Sequence, residues 1–345
     1  MQSAAFVFLR NLPQNKITMK QLIANFSKHL TEAISIGESA ILHQPPYSIK
    51  NILISGLGGS GIGGTIVSQI VSGEARVPIT VSKDYFIPAF VDGNTVVIIC
   101  SYSGNTEETL SAMKFAMEKK AKIVCISSGG EVVEIAKKNG LDFILIPPGF
   151  PPRSAFAFPF VQLFYVLGFF KIISSNVIKD IKSAIDLIET EEGKILEEAK
   201  NIAGKLLNKI PVIYSDASIE GVSVRFRQQI NENSKMLCWH HAIPEMNHNE
   251  LVGWVEKNEN LAVVILRNGS DYSRSQKRME INKEIISKKT STVVEIHSKG
   301  NSKIENALYL IHLCDWVSQF LADLKNIDST EVKVIDFLKG ELAKI

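Results

Sequence analysis

From residue 51 onward, short runs of Val and Ile alternate with segments whose apolar residues recur every three or four positions. The runs NILIS (51–55), PITVS (78–82), TVVIIC (95–100), KIVCIS (122–127) and FILIP (143–147) are too short for helices and predict buried strands. Between them, Ile62, Ile66 and Ile70 repeat at i, i+4, i+8, and Leu110, Met113 and Met117 at i, i+3, i+7, the spacing of one helix face. Such alternation implies a parallel sheet with helices on both faces. PPGFPPR (147–153) interrupts the pattern as a stiff connector. A long, mostly polar helix is predicted around Leu187–Leu207. The alternation then restarts with PVIYS (211–215), a helix from about Ile219 to Met236, LAVVIL (261–266), a helix near 275–288 and STVVEI (291–296). A last helix, about 304–325, carries Leu310, Leu313, Val317 and Phe320 on one side.

The expected fold class is therefore α/β, with two related units, each a mostly parallel sheet flanked by helices in an αβα sandwich. We divide the chain into an N-terminal helical segment packed on the core (1–50), a first unit with ligand loops (51–155), a helical connector (156–207) and a second unit with C-terminal helices (208–345). The uncharged stretch Ser154–Phe170 is too short to span a membrane comfortably and is interrupted by Pro159 and Gln162; it reads as a buried helix.

Lys plus Arg number 38 and Asp plus Glu 36, so no strong field draws the chain to nucleic acid or anionic lipid. A bound phosphate must be held locally. Cys100, Cys125, Cys238 and Cys314 form no CxxC pair and read as reduced thiols, which points to the cytoplasm. The first residues, MQSAAFVFLRNLPQNK, lack the charged-then-apolar order of a signal peptide.

Two loops carry candidate chemistry. SGLGGSGIGG (55–64) leaves a strand and opens a helix, where glycines let backbone N–H groups approach an anion. It also matches GxGxxG at Gly56, Gly58 and Gly61, but Asp84 does not clearly end the second strand as a dinucleotide site requires. CSYSGNTEET (100–109) is the stronger signal. Ser101, Ser103 and Thr106 offer hydroxyls, Gly104 permits a tight turn, and Asn105 with Glu108 reads as a capping box. Hydroxyls and a free helix start make a phosphate cradle without Lys or Arg. Both loops fall at the carboxyl ends of strands, where open α/β sheets bind ligands.

GLGGSGIGG and SYSGNTEET resemble the paired loops of the sugar isomerase (SIS) domain, whose Ser/Thr-rich loop holds a sugar phosphate. PPR (151–153), RQQINENSK (227–235) and PEMNHNEL (244–251) narrow the resemblance to the bifunctional phosphoglucose/phosphomannose isomerases, over residues from about 50 to the C-terminus. That resemblance implies two SIS-type units, no cofactor or metal, and a homodimer whose active sites use residues of both subunits. It adds Ser60 and Gly59 to Ser101, Ser103 and Thr106 as phosphate contacts.

Aldose–ketose interconversion moves a proton between C2 and C1 through a cis-enediol, which one carboxylate can do. Residue types alone favour Glu232 as a surface helix residue paired with Lys235 or Arg227; the resemblance reverses that and makes it the candidate base. By resemblance, His248 and Lys339 assist ring opening, Arg153 stabilises the enediolate oxygens, and Thr330 is a candidate for tolerance at C2. His240, His241, His248 and Glu245 do not follow a zinc-binding helix spacing. The alternatives are another SIS-domain sugar-phosphate isomerase, or a non-catalytic sugar-phosphate regulator that keeps the loop and dispenses with the base.

Overall fold

The computed structural model describes residues 17–174 and 176–344; the reading of residues 1–16 falls outside the described residues. Thr18 caps α1 (Met19–Ala24) through a capping box with Gln21, and α2 (Phe26–Glu38) buries Leu30, Ala33 and Ile34. The first half then builds β1 (Asn51–Ser55), α3 (Gly58–Ile70), β2 (Ile79–Ser82), β3 (Thr95–Cys100), α4 (Glu107–Glu118), β4 (Lys122–Ser127), α5 (Gly130–Lys138) and β5 (Asp142–Leu145). Its strands form one parallel sheet in the order β2-β1-β3-β4-β5.

The uncharged stretch forms α6 (Ala157–Phe169), buried along nearly its whole length, with Pro159 in its first turn where no helical N–H is lost. Gln162, buried on the same helix, donates from Nε2 to the Ala33 carbonyl at 2.7 Å, which meets part of the cost of its burial. No helix among the described residues is long and apolar enough to cross a membrane. Next comes α7 (Val177–Leu206), which starts well before the predicted Leu187. The second half comprises β6 (Ile210–Asp216), α8 (Glu220–Ser234), β7 (Trp239–Ile243), β8 (Leu261–Arg267), α9 (Ser273–Ile286), β9 (Val293–His297), α10 (Lys303–Leu324) and α11 (Lys333–Leu342). Its parallel sheet runs β7-β6-β8-β9. Both sheets wind alike: the second strand lies on one side of the first, the third and fourth on the other. β7 was not foreseen, because WHHAI carries two histidines and only Ala242 and Ile243 are buried.

One continuous core lies between the sheets. Ile52, Ile54, Val96 and Ile98 of the first sheet and Ile213, Val264 and Leu266 of the second meet α2, α3, α6, α7, α8 and α10 there. Alternate residues of the same strands, Leu53, Val97 and Ile99, turn to the outer face under α4 and α5. Val212, Tyr214 and Ile265 likewise lie under α9 and the 3₁₀ turns at Glu245–His248 and Glu250–Gly253.

In each sheet the winding reverses between the first and third strands, which opens a crevice at their carboxyl ends. The crevice of the first sheet is edged by the two Gly- and Ser-rich loops. That of the second is edged by Asp216 and Asp271, both buried. Burial pushes Asp271 up to about 6, and Asp216 adds to the rise. A carboxyl whose pKa rises on folding contributes stability in full only below its ordinary value of 3.8, and that contribution is lost as pH climbs through about 6. Asp271→Asn is therefore expected to raise stability at pH 8 by about 2–3 kcal/mol and to change it little at pH 4, measured by urea unfolding at both pH values.

Candidate active site

The two loops at the carboxyl edge of the first sheet are built against each other. Ser60, in the first turn of α3, accepts the Tyr102 N–H at 3.0 Å and ties the glycine loop to the serine loop. Tyr102 in turn donates its hydroxyl to the Pro147 carbonyl at 2.9 Å and accepts the Phe150 N–H at 2.8 Å, which fixes the proline-rich connector beside both. Gly59 has no room for a side chain: a Cβ there would lie 2.8 Å from the Pro152 carbonyl oxygen and 3.0 Å from Arg153 Cα. Gly104 adopts φ +72° and passes so close to Gly129 that only glycine fits.

Ser101 is buried and donates its hydroxyl to Thr106 Oγ1 at 3.0 Å, whereas Ser103 is exposed and its oxygen accepts the Asn105 N–H at 3.3 Å. Thr106 is the N-cap of α4, whose first N–H groups face the same edge. The expected capping box of Asn105 and Glu108 is not formed. Asn105 instead accepts the Glu131 N–H at 2.9 Å, because the turn that opens α5 packs against it.

Arg153 lies where this edge meets the second half of the chain. Its guanidinium is buried and donates from Nε to Asn233 Oδ1 at 2.7 Å, from Nη1 to Glu232 Oε2 at 3.3 Å, and from Nη2 to the carbonyls of Ser329 at 2.5 Å and Thr330 at 3.4 Å. Burial draws its pKa below the ordinary guanidinium value, while Glu232 and Asp328 oppose that. Glu232 stands in the last turn of α8, and its carboxylate faces Arg153; Lys235 donates to the Glu232 backbone carbonyl instead. Burial and the nearby Arg153 together lower the Lys235 pKa. Arg153, Glu232 and Thr330 thus converge beside Gly59.

No hydrogen bond or ion pair among the described residues ties the side chain of His248 or Lys339 to them. α8 packs on the inner face of the second sheet through Val222, Phe226 and Ile230, whereas Met246, beside His248, packs on its outer face. The strand layer stands between Glu232 and His248. Lys339 lies on α11, none of whose residues is buried. Among the described residues no group of three His, Cys, Asp or Glu side chains is arranged to hold a metal ion.

With this geometry in view, the chain compares as follows with known proteins. Residues 195–342 match the family model of the bacterial phospho-glucose isomerase C-terminal SIS domain. A bifunctional phosphoglucose/phosphomannose isomerase of Caldicellulosiruptor bescii is 39% identical, over 95% of this chain and 99% of that protein. One of Aquifex aeolicus is 37% identical, over 87% of this chain and 92% of its own. The chain belongs to the bifunctional phosphoglucose/phosphomannose isomerase family. The C-terminal domain of glucosamine-fructose-6-phosphate aminotransferase from Francisella tularensis shares the fold, with a TM-score of 0.75 at 14% identity over 92% of this chain and 98% of that one.

For a member of this isomerase family, two residues at the edge carry more of the geometry than sequence reasoning assigned them. Tyr102 was quoted only as part of a serine loop, yet it joins three segments. Asn233 was quoted only inside RQQINENSK, yet it holds Arg153 Nε and donates to Ser318 Oγ at 2.9 Å. Their signal was polar or amphipathic character inside an otherwise buried stretch.

Replacing Arg153 leaves Asn233 and two carbonyls without their donor in a closed interior. Arg153→Met is expected to lower stability by about 3 kcal/mol in urea unfolding at pH 7.

Proposed function

We propose that the chain interconverts glucose 6-phosphate and fructose 6-phosphate, and also mannose 6-phosphate, without a metal or organic cofactor. The observation that carries this reading is the Arg153–Glu232 pair at the mouth of the loop pair that fits a phosphate. Ser101, Ser103, Thr106, Ser60 and Gly59 take the phosphate with hydroxyls and helix-start N–H groups. Glu232 removes the proton from C2 of the aldose phosphate and returns it to C1; in reverse it takes it from C1. Arg153 has one Nη1–H left over after the bonds described, and it stabilises the charge on the enediolate oxygens. Thr330, whose carbonyl Arg153 holds, lies close enough to act on tolerance at C2.

Ring opening needs a second proton-transfer group, and His248 and Lys339 are assigned to it. His248 faces away from Glu232 across the second sheet, so a second copy of the chain supplies it, and the working unit is a homodimer. The same reading treats 51–155 and 208–345 as the two SIS-type units, with 1–50 and 156–207 as helical additions; their common strand order supports it. It also places the protein in the cytoplasm, in keeping with four unpaired cysteines, of which Cys100 and Cys125 are pushed up to about 12 by burial.

The deciding assay starts from fructose 6-phosphate with EDTA-treated protein and follows glucose 6-phosphate and mannose 6-phosphate separately. Both products are expected; binding without turnover would favour a regulator. Glu232→Gln is expected to lower kcat by about a thousandfold with KM little changed, and a near-normal kcat would remove Glu232 as the base. Ser101→Ala combined with Ser103→Ala is expected to raise KM about tenfold while changing kcat less; an unchanged KM would argue against the cradle.

A further inference from the structure

His248 sits on a turn whose neighbours are pinned while its own ring is not. On one side, Met246 is fully buried and Asn247 donates to Asn282 Oδ1 on α9 at 2.7 Å. On the other, Asn249 donates to Glu245 Oε1 at 2.8 Å. Glu250 then folds back onto β6 and β7, where its Oε1 accepts the Tyr214 hydroxyl at 2.5 Å and the Trp239 indole N–H at 3.1 Å. Its Oε2 pairs with His241 Nδ1 at 2.7 Å. Trp254 Nε1 donates to the same Tyr214 hydroxyl at 3.0 Å and closes the network from the far end of the turn. Burial alone would raise the Glu250 pKa; bonds from Tyr214, Trp239 and His241 outweigh it and hold the carboxyl below its ordinary range. His248 itself is exposed, and its ring makes no hydrogen bond among the described residues.

We propose that Glu250 is a positioning residue for His248: its carboxylate, fixed on Tyr214, Trp239 and His241, sets the turn that presents the imidazole to the substrate. The proposal rests on the reading of His248 as the ring-opening group. Met246 and Trp254 anchor the two ends of the turn in the outer core, and between them the carboxylate with three donors holds the polar middle. Within the chain its removal breaks no bond of the phosphate cradle or of Glu232.

The test is a double-mutant cycle on the full-length protein, reading kcat and KM with fructose 6-phosphate and the midpoint of thermal unfolding. His248→Gln alone is expected to lower kcat about a hundredfold. Glu250→Ala is expected to lower kcat at least about tenfold with KM within about twofold. The double variant is then no slower than His248→Gln, since Glu250 acts through that ring. Glu250→Gln keeps an oxygen for Tyr214 and Trp239 and is expected to lose only about fivefold, a loss that vanishes in the His248→Gln background. That variant carries the test should the alanine protein fail to fold. Losses that multiply in the double variants would overturn the proposal and leave Glu250 a purely structural anchor. A wild-type kcat for His248→Gln would instead sink the assignment of His248, which the single variant shows on its own.

Discussion

A buried guanidinium must have its donors met, and at Arg153 that requirement fixes the geometry of the whole carboxyl edge. Its partners come from the end of α8 and from residues 329–330, while it belongs to the connector after β5. Its own carbonyl accepts from Arg225 at 3.1 Å, and Arg225 is paired with Asp315 at 2.6 Å and lies over the Phe156 ring at 4.3 Å. The network therefore spans α6, α8 and α10 as well as two loops. Buried ion pairs add little net stability, since desolvation offsets most of the Coulomb gain. Their effect here is to select one relative placement of the two halves out of the many that an apolar interface would tolerate.

The two sheets share a winding order but not the chemistry of their crevices. Glycines and hydroxyls edge the first, so an anion meets helix-start N–H groups, although Glu107 and Glu108 stand in the first turn of α4. Asp216 and Asp271 edge the second, and two buried carboxylates repel a phosphate. On the proposed reading the first sheet binds the ligand. The other acts as a frame that carries Glu232 on its inner face and the His248 turn on its outer face.

Most of the fold could be read from hydrophobic periodicity, because eight of the nine strands among the described residues are apolar runs bounded by turn residues. The exception is β7: WHHAI opens with an exposed Trp239 and two half-buried histidines, and only Ala242 and Ile243 are buried, so it shows no apolar run. The candidate site was read in a different way. Ser101, Ser103 and Thr106 follow from hydroxyls at a strand–helix turn, and Arg153 and Glu232 from motifs. Neither pattern nor motif shows that Arg153 and Glu232, seventy-nine positions apart, touch each other. That contact depends on α8 running antiparallel to α3, and only packing decides it. The Asn105–Glu108 capping box failed for the same reason, since a neighbouring turn competed successfully for Asn105.

On the proposed reading, Glu232 is a base oriented by a contact on which the fold does not depend. Its side chain is 27% exposed, and Arg153 approaches only Oε2, at a long 3.3 Å. The guanidinium makes its shorter bonds to Asn233 and the Ser329 carbonyl, so the fold would hold Arg153 in place even with Glu232 moved. A carboxylate that is oriented but not consumed by its partner keeps an oxygen free to carry a proton. A cation fixed by other groups costs no reorganisation when negative charge develops beside it. Both conditions are set by α8 and the proline-rich connector before any substrate arrives.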